Sequence, residues 1–70
     1  MTSAIRSRRE YAATKLEVRK LRRNLRALRD RLMHETNPID YDAALADAAA
    51  AEARLDQLWV AIGDWKSRVA

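Results

Sequence analysis

The sequence predicts an all-α fold: one antiparallel two-helix hairpin, packed as a coiled coil and completed to a helical bundle by self-association or by a partner. Three observations carry that expectation. Apolar residues recur at alternating steps of three and four along both halves of the chain, the pattern of a heptad seam. The only proline sits in the one stretch that reads as a break, Thr36-Asn37-Pro38-Ile39-Asp40. The two halves also carry opposite charge, which favours folding one against the other.

The first helix is predicted over about residues 4–35. Its seam has Tyr11, Val18, Leu25 and Leu32 at heptad position a, with Thr14, Leu21 and Leu28 at d. A connection follows at about 36–40. Asn37 can cap the next helix with Pro38 at its first position and Asp40 in its first turn; alternatively Asp40 is the cap with Ile39 just outside it. A connection this short makes the helices antiparallel neighbours. The second helix is predicted over about 41–68. Tyr41, Ala48, Leu55, Ile62 and Val69 fall at a, and Ala44, Ala51, Leu58 and Trp65 at d.

Folding the seams together about the turn and pairing a with d gives the layers Leu32–Ala44, Leu28–Ala48, Leu25–Ala51, Leu21–Leu55, Val18–Leu58, Thr14–Ile62 and Tyr11–Trp65. One register satisfies all of them. Near the turn each leucine meets an alanine, which lets the helices approach closely. At the open end Tyr11 meets Trp65, so the helices should splay. In the same register Arg31–Asp47, Arg22–Glu52 and Glu10–Arg68 are complementary flanking pairs, Lys15–Trp59 is a candidate cation–π contact, and Arg8–Lys66 is repulsive. Exposed pairs are worth at most about 1 kcal/mol each, so they select a register without supplying much stability.

Seventy residues make one small domain, residues 1–70. Two helices touching along one seam bury too little apolar surface to offset the ordering of the whole chain, so a folded free monomer is not expected. The absence of cysteine removes disulfides, thiolate metal sites and cysteine nucleophiles. No apolar stretch is long enough to cross a membrane. No apolar run follows the basic start, Met1 to Arg9, so no signal peptide is predicted and the expected location is cytoplasmic. Residues 1–35 carry eleven Lys/Arg against four acids, and residues 36–70 three against six, so the overall +4 divides into a basic first helix and an acidic second.

Catalysis is not expected. His34 is the only histidine, and its neighbours Glu35 and Thr36 supply neither a nucleophile nor an orienting acid; a solvated histidine near a helix C-terminus is the plainer reading. One histidine beside Glu35, Asp40 and Asp42 at a turn is not a metal site. The single glycine, Gly63, cannot make a phosphate loop. It falls at an outward b position, as a tolerated kink, a frayed last turn, or a point of close approach for a partner backbone. No cofactor, metal or small-molecule substrate is implied.

Two surfaces remain. Apolar residues that no seam covers are Leu45 and Trp59 at e, Ile5, Ala12, Met33 and Ala49 at b, and Leu16 and Val60 at f. The partner-binding surface is expected to centre on Leu45, Ala49 and Trp59, with Met33, Leu16 and Val60 contributing. That implies a small non-enzymatic interaction module, an adaptor, inhibitor or assembly component that pairs with itself or a larger protein. The alternative uses Arg8, Lys15, Arg19, Arg22, Arg26 and Arg29, which line one side of the first helix and could track the phosphates of RNA or DNA. No aromatic is interleaved among these e and b positions to stack on a base, and Glu52 and Asp56 border the stripe.

Overall fold

Ser7 sets the start of the first helix. In the computed structural model, which describes residues 4–70, α1 runs Arg8–His34 and α2 runs Pro38–Val69; the first three residues of the basic start lie outside the described part. Helix α1 begins later than heptad counting places it. Ser7 is extended, its Oγ accepts from the Glu10 N–H at 3.1 Å, and the Glu10 carboxylate reaches back to the Arg6 N–H. The two bonds satisfy backbone donors on either side of the helix start, with the carboxylate reaching the residue before the cap and not the cap itself. The spacing Ser7-Arg8-Arg9-Glu10 is the sequence signature of that cap.

At the turn the first of the two capping schemes holds. Asn37 Oδ1 accepts from the N–H groups of Ile39 at 2.9 Å and Asp40 at 3.4 Å, with Pro38 at the first helical position. Helix α2 therefore starts at Pro38, a little before residue 41, and the link is three residues long. Asp40 lies in the first turn of α2, and Arg31 and His34 in the last turn of α1, each placed favourably for the helix dipole.

The helices lie antiparallel as a rod of 48 × 20 × 15 Å, its length matching the rise of α2, about 48 Å for 32 residues. The seam has the predicted composition. Val18, Leu25, Ala44, Ala48, Ala51, Leu58 and Ile62 are buried, and Tyr11, Thr14, Leu21, Leu28, Leu32, Leu55 and Trp65 are half-buried. Leu25, Ala48 and Ala51 form one cluster near the turn, flanked by Leu21 and Leu28. At the open end the rings of Tyr11 and Trp65 stack with centroids 6.0 Å apart. Thr14, the polar step in the seam, donates its hydroxyl to the Glu10 carbonyl at 2.8 Å, so its polar atom is satisfied within its own helix.

Three details differ from the heptad reading. Tyr41 and Val69 are exposed despite their a positions, because their opposite numbers, Glu35 and Ser7, lie past the ends of α1. Ile5, read as uncovered, is among the most buried residues in the chain, at 3% exposure. Since α1 starts at Arg8, the described residues before it, 4–7, are not helical, and Ile5 joins Val18, Leu58, Ala61 and Ile62. Its carbonyl accepts from the Arg68 guanidinium, and Ala61, a flanking residue, is buried in the same cluster.

The flanking charges also pair differently. Glu52 takes Arg29 at 3.0 Å where Arg22 was expected, and Arg54 takes Glu17 at 3.3 Å. Arg31 pairs with Glu35 and Arg68 with Asp64 along their own helices, so Arg31–Asp47 and Glu10–Arg68 do not form. Lys15 lies over the ring of Tyr11, 5.3 Å from its centroid, and not over Trp59. Most of these groups are solvent-exposed, where pair energies are small and long side chains reach either neighbouring heptad.

Gly63 leaves α2 unbroken, and a Cβ built there meets nothing within 4 Å. Within the chain no close approach calls for glycine. Gly63→Ala is therefore expected to raise stability by up to about 1 kcal/mol, read as a higher urea midpoint. A lower midpoint would show that the helix needs glycine at this position.

Candidate functional site

Because α1 and α2 run antiparallel, their e and b positions fall on one broad side of the rod. Helix α1 contributes Lys15, Arg19, Arg22, Arg26 and Arg29 to it, and α2 contributes Leu45, Ala49, Glu52, Asp56, Trp59 and Lys66. The two candidate surfaces read from the sequence are thus largely one face.

On that face the apolar candidates are dispersed. Leu45 and Trp59 are about half exposed, but fourteen residues separate them, about 21 Å along the helix. Ala49 sits beside Leu45, while Asp56 and the Arg29–Glu52 ion pair lie between it and Trp59. Met33, 80% exposed, borders a shallow hollow near the turn with Arg23, Arg26 and Arg29. Leu16 and Val60 are exposed as expected but stand at f, on the outer edges of their own helices. No single apolar patch gathers these six residues.

The basic candidates do converge. Arg19, Arg22, Arg23, Arg26 and Arg29 line an open groove of about 610 Å³ floored by Leu25 and Leu55. A second hollow of about 250 Å³ shares Arg19 and Arg22 with it and adds Lys15 and Lys66, with the rings of Tyr11 and Trp59 in its lining and Val18 and Ile62 below. Together they make one trough. From Tyr11 to Arg29 it follows about 27 Å of helix axis. Arg8 stands outside it, at the start of α1. Arg23, Lys66 and Tyr11 belong to the trough although the stripe on α1 alone does not single them out.

The electrostatics of the trough are one-sided. Among the described residues its only ion pair is Arg29–Glu52; Lys15, Arg19, Arg22, Arg23, Arg26 and Lys66 have no carboxylate within 4.0 Å. Asp56 borders the stripe but pairs with none of it. Like charges three and four apart on a helix destabilise it by about 0.2–0.5 kcal/mol per pair. The free protein bears this repulsion, and an anion laid in the trough relieves it.

The opposite side of the rod is different in kind. There a groove lined by Leu21, Asn24, Leu28, Asp47, Ala50, Ala51 and Arg54 mixes both signs, and Glu17 neutralises Arg54. His34 lies at the end of α1 with Nε2 3.8 Å from Asp30 Oδ1, both side chains in solvent; His34 is not part of the trough lining, although Asp30 borders the neighbouring hollow with Arg23, Arg26 and Arg29. Among the described residues no three His, Asp or Glu side chains gather to hold a metal ion, and no helix is long and apolar enough to cross a membrane. No protein-family model, curated protein or solved structure matches this chain.

Proposed function

We propose that this hairpin is a non-enzymatic binding module whose working surface is the trough, and that its partner is the phosphate backbone of a nucleic acid. One observation carries the reading: six lysine and arginine side chains without carboxylate partners line two hollows that share Arg19 and Arg22. Guanidinium groups suit phosphate oxygens because their donors form a planar fork. A helix pair supplies a rigid, extended row of them. Changing Arg19, Arg22 and Arg26 together to Gln is expected to weaken binding of all sequences about equally, as read by fluorescence anisotropy of a labelled oligonucleotide at low salt. Unchanged affinity in that variant would remove the trough from the contact.

A second reading, in which the hairpin is half of a larger helical bundle in a protein assembly, is favoured by the thinness of the core. No described side chain is fully enclosed, and the accessible surface is 5657 Å², against about 4,450 Å² for a compact monomer of this mass. Self-association would appear as a sedimentation coefficient that rises with concentration and falls back in Trp59→Ala. A single slow species at every concentration would exclude the homo-oligomer.

A further inference from the structure

We infer that the trough is built for a single strand, with one base seated against Trp59 while the phosphates on one side of it lie along the arginines; this rests on the nucleic-acid reading above. The decisive feature is where the aromatic rings are. The arginine groove from Arg19 to Arg29 contains none, whereas the adjoining hollow brings Tyr11 and Trp59 together with Lys15 and Lys66. Trp59 is 47% exposed at its rim, with a large area of indole open to solvent. Its neighbour ring Tyr11 already carries the Lys15 ammonium and stacks on Trp65, so Trp59 is the ring left free to receive a ligand.

Size and shape point the same way. A hollow of about 250 Å³ falls below the roughly 300–1,000 Å³ of sites that enclose a drug-sized molecule. It suits one flat ring system. A duplex keeps its base faces stacked inside and offers edges and phosphates only, so an aromatic hollow among cations gains nothing from it, whereas a single strand can turn a base out onto a ring. The hairpin is also 20 × 15 Å in cross-section, wider than the roughly 12 Å major groove that admits a single helix. The trough, lying between two helices, therefore cannot be pressed onto base edges there. Stacking is tolerant of sequence because every base has a π-face, so the preference expected is for unpaired strand, not for a motif.

The test uses the full chain and four labelled probes: oligothymidylate, oligouridylate, a blunt duplex of the same length, and an abasic strand that keeps the phosphates without bases. The intact strands are expected to bind roughly 5- to 150-fold tighter than the abasic strand, the range that one stacked base provides, and to quench tryptophan fluorescence. Trp59→Ala should lower intact-strand affinity to the abasic level, leave abasic and duplex binding unchanged, and keep the parent's helical circular dichroism. Trp59→Phe, which retains a ring, should recover much of the loss. Equal affinity for intact and abasic strands, or no effect of Trp59→Ala, would overturn the stacking inference while leaving the phosphate reading in place. Failure of every probe to bind at low salt would overturn both, and Trp59 becoming shielded as the chain self-associates would assign the face to protein contact.

Discussion

Leu58→Ala is expected to cost the hairpin about 2–5 kcal/mol. Leu58 is 4% exposed and lies in the cluster with Ile5, Val18, Ala61 and Ile62, which joins both helices and the segment before α1. A cavity there has no second layer behind it to collapse inward. A domain of this length has about 3.5–10 kcal/mol of stability in all, so the variant loses a large share of it. At about 4–8 °C per kcal/mol, the thermal midpoint should fall by about 8 °C or more. Leu45→Ala on the same helix, at a half-exposed position, should stay within about 0.5 kcal/mol. Similar losses in the two variants would contradict the burial pattern on which the seam rests.

Ala48→Leu should act in the opposite way, by excess. Ala48 is buried against Leu25 and Ala51, with Leu28 at the edge of the cluster, so a small side chain of α2 sits among leucines of α1. A leucine there must push the helices apart or leave its rotamer well, at about 1–3 kcal/mol. Ala46→Leu, at an exposed position of the same helix, adds the same atoms with no such consequence, since the two residues have similar helix propensity. Urea melts of the two variants beside the parent chain separate packing from propensity. An unchanged midpoint for Ala48→Leu would mean that these layers are loose.

The seam was legible in the sequence because burial along a coiled coil obeys one period. Every a and d residue that has a partner helix opposite it is buried or half-buried, and the two that are not, Tyr41 and Val69, extend past the ends of α1. Ile5 was not legible by period at all. Counting heptads through Ser7 places Ile5 outward, whereas the helix is capped at Ser7 and Ile5, in the non-helical residues before it, is buried in the core. The individual ion pairs were illegible for an energetic reason. Glu52 can reach Arg22 or Arg29, both in solvent, and differences between such contacts are too small for a sequence rule to rank.

For the candidate site, the arginine stripe on α1 was legible from spacing, and the interhelical register already set Trp59 opposite Lys15; that Tyr11, Arg19, Arg22 and Lys66 complete a hollow around them was not legible. Trp59 lies on the other helix, far away in sequence, and reads there as part of an apolar patch with Leu45 and Ala49. Only the fold shows that Asp56 and the Arg29–Glu52 pair divide that patch, and that Trp59 shares a hollow with Tyr11, Lys15, Arg19 and Arg22. A composite site of this kind is invisible to a reading that takes one helix at a time, because its parts meet only through the interhelical register.

The most direct measurement of the central claim is the salt dependence of single-strand binding by the parent chain. The claim is that unpaired cations in the trough engage phosphates, and each engaged phosphate releases a condensed counterion. With three to six of the trough's unpaired cations engaged, log K plotted against log salt should fall with a slope of about −2 to −4, taking about −0.7 per phosphate on a single strand. A slope near zero, or no binding at the lowest salt, would contradict it.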